Sequence, residues 1–247
     1  MKEKLQKIRS SIDGIDREII SLLESRMGFV EEVAEIKHAN PSVSYIRADR
    51  EAEMLRELLK DNKRLPEQII IQIWRLIISM SLQQECDFSI FAHCVENKQE
   101  YMKRLIREYF SSLTEIKYKD VVSVPDSPQS LLACLYKDEQ QYEFLLANKS
   151  FKIFSRLPDL KKGAKGYQLS DVNIMAIISE DLIAYDRVIC AAVTEYAVDA
   201  TIIANQISFL GDKYTIYDML KSDFYSKQTQ QDSGKIEFLG GYVESFT

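Results

Sequence analysis

From Leu5 to Ile36 the chain repeats apolar residues at steps of three and four: Leu5, Ile8, Ile12, Ile15, Ile19 and Leu22, then Phe29, Val33 and Ile36. That spacing puts one apolar side chain per turn on a single face of an α-helix, and no proline interrupts it. It predicts one helix from about Glu3 to His38. Such a helix is ~50 Å long at 1.5 Å per residue, whereas a globule of about ninety residues is only ~25 Å across. Shorter companions in the same chain cannot cover it. The stripe therefore calls for a second chain, either in a plain coiled coil or in a more interlocked dimer.

The segment NPSVSY ends this helix, and a short one is expected from about Asp49 to Asp61. Pro66 suits a first helical position, and a third helix runs from it through IIIQIWRLIISMSLQ to about Cys86. After Phe88 the pattern changes. FSIFAHC, YEFLLAN, FKIFSRLP, VNIMAIIS and RVICAAV read as short strands. KQEYMKRLIREYFSSL, SPQSLLACLY and AVDATIIANQISFL read as helices between them, DLKKGAKG as an exposed loop and KSDFYSKQTQQDSGK as a polar, mobile stretch. The expected fold class is α + α/β, with a three-helix domain over residues 1–87 and a small α/β domain over residues 88–247.

The formal net charge of −6 gives no electrostatic footprint for nucleic acid or an anionic membrane. Cys86, Cys94, Cys134 and Cys190 have no C-x-x-C spacing, and His38 and His93 are the only histidines. Neither a Cys/His metal site nor a disulfide framework is expected. The opening MKEKLQKIRSS lacks an apolar signal core, and no run approaches the ~20 apolar residues of a membrane span. A reduced, cytoplasmic compartment is the expectation.

In an acidic chain, cations on an apolar face stand out. The stripe of the first helix leads from Leu22 to Arg26, and eleven positions later to Lys37. Eleven steps of ~100° make three turns plus ~20°, so the two share a face. Burying a cation there is costly unless an anion meets it; snorkelling or an internal ion pair would also explain the pair. Arg9 lies ~100° away from that face, so it could serve such a site more readily from a partner chain. Arg47, Arg50 and Glu51 open the second helix, and Ser81 and Glu85 sit one turn apart near the end of the third.

These elements together resemble the all-helical chorismate mutases, over roughly Leu5 to Glu85: the opening IRSSIDGIDREIISLLESR, then EVAEIK, RADREAEML and IWRLIISMSLQQE. The resemblance implies an intertwined dimer that converts chorismate to prephenate in aromatic amino-acid biosynthesis, with the active sites shared between chains. It implies that Arg26 and Arg50 grip substrate carboxylates and that Arg9 reaches across from the partner. Lys37 would contact a carboxylate and the breaking ether oxygen. Glu51 would accept the ring hydroxyl, Ser81 would help hold a carboxylate, and Glu85 would face the ether oxygen. Arg47 departs from the best-known pattern, which has Asp there and acts partly through backbone. The rearrangement is intramolecular and pericyclic, so no nucleophile, metal or redox cofactor is expected. What helps is holding the substrate's arm over its ring and aiming donors at the ether oxygen.

The flow from FSIFAHC to YEFLLANKS faintly resembles a prephenate dehydratase domain, but the Thr-Arg-Phe triplet of that family and the Glu-Ser-Arg-Pro segment of its regulatory domain are absent. A degenerate dehydratase-like domain with a structural or regulatory role is the reading adopted for residues 88–247. Two alternatives stay open for the whole chain: an isochorismate-pyruvate lyase on the same helical fold, and a non-catalytic, metabolite-binding helical dimer.

Overall fold

The computed structural model describes residues 1–40, 44–111, 114–157, 171–193, 200–229 and 236–243. Three helices open the chain: α1 (Lys2–Ala39), α2 (Ala48–Asp61) and α3 (Glu67–Glu85). They lie where periodicity and Pro66 put them, and Pro66 takes the position just before α3. Helix α1 has 38 residues, ~57 Å of helix. Before Val30 none of its residues is buried. Its apolar stripe lies bare on the single chain, with Leu22 70%, Phe29 68% and Ile36 64% exposed. Ile69, Ile73, Leu76 and Met80 form a second exposed apolar row, along α3.

The remainder is a mixed α/β domain: β1 (Ser89–His93), α4 (Gln99–Phe110), β2 (Ile116–Tyr118), β3 (Ser130–Leu135), α5 (Glu139–Ala147), β4 (Phe151–Leu157), β5 (Val172–Ile177), β6 (Arg187–Val193), β7 (Thr201–Phe209), β8 (Asp212–Leu220), α6 (Lys221–Thr229) and β9 (Ile236–Tyr242). Among the described residues nine strands form one sheet, in the order β2-β1-β3-β5-β4-β9-β6-β8-β7. Helices α4 and α6 pack on one face of it and α5 on the other. Ile46 and Ala48, at the start of α2, join the core on the α4 side, so the helical part rests on that face.

The sheet is two sub-sheets joined where β4 meets β9, through the pair Ile153 and Gly240. Gly240 has φ +143, and a Cβ there would collide with the backbone of Ile153. Glycine is needed at this point both for the backbone conformation and for the close approach.

Strands β1, β4, β5 and β6 and helix α4 match the sequence expectations; three other segments do not. YEFLLAN is helix α5, not a strand: Tyr142, Phe144, Leu145 and Leu146 are all buried, and a short helix covered on most sides shows no polar stripe. SPQSLLACLY contains strand β3, not a helix. Ser130 to Cys134 are all buried in the strand, which lies between β1 and β5, and central strands read as unbroken apolar runs. AVDATIIANQISFL contains strand β7, paired antiparallel with β8. Leu210 (φ 52) and Gly211 (φ 93) form the two-residue turn between them, as a tight hairpin requires. KSDFYSKQT folds as α6, while DLKKGAKG lies outside the described residues.

Candidate active site

Helices α1 and α3 bring two of the suspected cations onto two of the suspected partners. Arg26 Nη1 donates to Ser81 Oγ. Lys37 Nζ pairs with Glu85 Oε2, and donates to the carbonyl oxygen of Tyr45 at 3.3 Å. Lys37 is 9% exposed, which marks it as a cation placed by its neighbours and not one snorkelling to water. Ser81 and Glu85 are one turn apart on α3, so the two contacts form one surface.

The electrostatics join the parts. Burial holds the Arg26 guanidinium below its ordinary pKa; Glu85 opposes that effect and the charge of Arg50 adds to it. Arg50, itself exposed, therefore lies within reach of the same field. Two nearby cations, one of them partly desolvated, favour an anionic ligand with more than one carboxylate. Beside Glu85, burial pushes the Cys86 thiol up to about 12, which leaves no thiolate nucleophile there at neutral pH.

Three suspected residues lie elsewhere in the single chain. Arg9 is exposed on the first half of α1, ~25 Å along the helix from Arg26. Arg47 forms a two-pronged pair with Asp49, at 2.9 and 2.7 Å. Glu51 lies about a quarter to a third of a turn around α3 from Ser81 and Glu85, where its Oε2 meets Arg75 Nη1 at 3.0 Å.

A second polar cluster went unnoticed in the sequence. It lies in the α/β domain, where the two sub-sheets meet. Arg156 of β4 contacts Asp218 of β8 and Asp171, both at 3.2 Å, and lies 3.4 Å above the ring of Tyr136. Asp218 also accepts from Arg187 at 2.8 Å, Tyr136 at 3.0 Å and Tyr242 at 2.7 Å. Single charges inside the apolar runs IFSRL and YTIYDML were the available signal. Two cations meet two anions, and the cluster ties the sub-sheets together. Asp218→Asn is expected to destabilise the protein by ~3–5 kcal/mol, as when one partner of a buried ion pair is removed. Denaturant unfolding checks this, and a midpoint equal to that of wild type would refute it.

Comparison with known proteins adds the following. Residues 8–86 match the family model of chorismate mutase type II. The bifunctional chorismate mutase/prephenate dehydratase of Aquifex aeolicus (strain VF5) is 33% identical over 88 residues, which cover 34% of this chain and 24% of that protein. This chain thus spans about a quarter of the length of the curated relative it matches. No solved structure gives a significant match.

Proposed function

We propose that the N-terminal segment, a chorismate mutase type II domain over residues 8–86, rearranges chorismate to prephenate in an intertwined dimer with shared active sites. The observation that carries this reading is the convergence of Arg26 and Lys37 on Ser81 and Glu85, with Arg50 close enough to act on Arg26. Chorismate has two carboxylates and an ether bond to break. Arg26 and Arg50 hold the carboxylates, with Ser81 helping, and fix the arm over the ring. Lys37 donates to the ether oxygen as negative charge builds there. Glu51 accepts the ring hydroxyl. The long bare stripe of α1 supports the dimer, and Arg9 then enters the site from the partner chain. Burying that stripe supplies ~25 cal/mol for every Å² of apolar surface removed from water.

The reading is tested by offering the purified protein chorismate and isochorismate separately and identifying the products. Prephenate from chorismate is expected. Release of pyruvate from isochorismate, with chorismate left intact, would make the domain a lyase instead. Turnover of neither would leave a binding protein.

Glu85 has a particular part. Its Oε2 accepts from Lys37, and an ionised carboxylate cannot donate to an ether oxygen. An amide in its place can donate to that oxygen. Glu85→Gln is therefore expected to keep turnover, because an amide at this position can donate where an ionised carboxylate cannot. A fall in kcat of ~10²-fold or more in Glu85→Gln would show instead that the carboxylate itself is required.

The α/β domain is proposed to be a degenerate dehydratase-like domain with a structural or regulatory role. The cluster at Arg156 supports a structural role, because its guanidinium pairs with Asp171 and Asp218 where the two sub-sheets meet.

A further inference from the structure

Helix α3 presents its other side to the α/β domain. Ser79 Oγ donates to the carbonyl oxygen of Phe110, and Gln83 Nε2 donates to Thr114 Oγ1 at 2.9 Å. One turn before Ser79 lies Arg75, only 6% exposed. Its Nη1 contacts Glu51 Oε2 at 3.0 Å and the hydroxyl of Tyr109 at 2.8 Å. The guanidinium also lies 4.0 Å from the centre of the Tyr109 ring. A buried arginine of this kind orients its carboxylate strongly, because a planar fork on an aromatic face has little freedom left. Because the buried guanidinium is engaged by Glu51 and Tyr109, Arg75 acts through Glu51 and not on the substrate.

We infer that Arg75 is a positioning residue for Glu51, and that Tyr109 of α4 completes the clamp, so that the α/β domain holds one of the groups the mutase domain presents to its substrate. This rests on the mutase reading above. Glu51 follows Arg50 directly, so the clamp also fixes the start of α2. The second domain is then coupled to the reaction without contributing a residue that touches substrate.

The test is steady-state kinetics on the full-length protein with Arg75→Gln, Arg75→Lys and Tyr109→Phe, each alone and combined with Glu51→Gln. Arg75→Gln is expected to raise KM about 10-fold or more with kcat changed less, the pattern of lost substrate binding. Arg75→Lys should recover part of the loss, and Tyr109→Phe should raise KM about 2- to 5-fold. In the Glu51→Gln background, each change should add less than about 2-fold, because residues acting as one unit are non-additive. Should Arg75→Gln fail to fold, Tyr109→Phe decides the matter, since it removes one hydroxyl and keeps the ring. Losses that multiply in the double variants, or melting temperatures that fall while KM stays put, overturn the inference and leave the mutase reading standing. A wild-type protein without chorismate turnover overturns both.

Discussion

Lys37→Ala is expected to lower kcat by at least ~10²-fold, the scale of removing one transition-state donor at ~2.7–4 kcal/mol. Lys37 is buried, and its ammonium is aimed by two acceptors: the Glu85 carboxylate and the Tyr45 carbonyl. Pre-aimed donors of this sort need little rearrangement as charge develops on the ether oxygen, which is why their loss falls on turnover more than on binding. Unchanged dimer size and melting temperature would separate the effect from misfolding. A variant with normal kcat and a raised KM would show that Lys37 only anchors the substrate.

The second large effect concerns the shared site. Arg9→Ala and Arg26→Ala proteins are each expected to lose at least ~10²-fold in kcat/KM, since each removes a carboxylate-gripping cation from every site. Arg9 is too far along α1 to serve the cluster of its own chain, and in the proposed dimer it belongs to the partner's site. A mixed dimer then carries one site with both arginines and one with neither. After subunit exchange, an equal mixture should recover about a quarter of wild-type activity, because half the dimers are mixed and each has one good site of two. No recovery after exchange verified by mass spectrometry would rule out sharing, and would return Arg9 to the ordinary solvated surface.

The helical part was legible because its signals are local. Period, proline and length place α1, α2 and α3 to within about two residues. Arg26 and Lys37 stood out as cations on an apolar stripe, and α3 places Ser81 and Glu85 against them. The orientation of Glu51 was not legible. Its partner Arg75 lies 24 positions away on another helix, and Tyr109 lies a further 34 beyond that. The α/β domain was read less well, because burial on two faces erases alternation. That is how β3 read as a helix and α5 as a strand. A signal for α5 was present: Asp138 caps it by accepting from the backbone N–H of Gln140 at 3.1 Å. Gly211 likewise announced the β7–β8 hairpin. The ion-pair cluster at Arg156 gathers residues from β4, β6, β8 and the approach to β5, a meeting that only the folded sheet brings about.

The most direct measurement is the rate at which the purified full-length protein consumes chorismate, set against the uncatalysed rearrangement in the same buffer, with the product identified by NMR. The account predicts prephenate as the product and an acceleration of about 10⁶-fold, toward the lower end of the enzymatic range. A folded, dimeric protein that leaves chorismate to rearrange at its uncatalysed rate would contradict it.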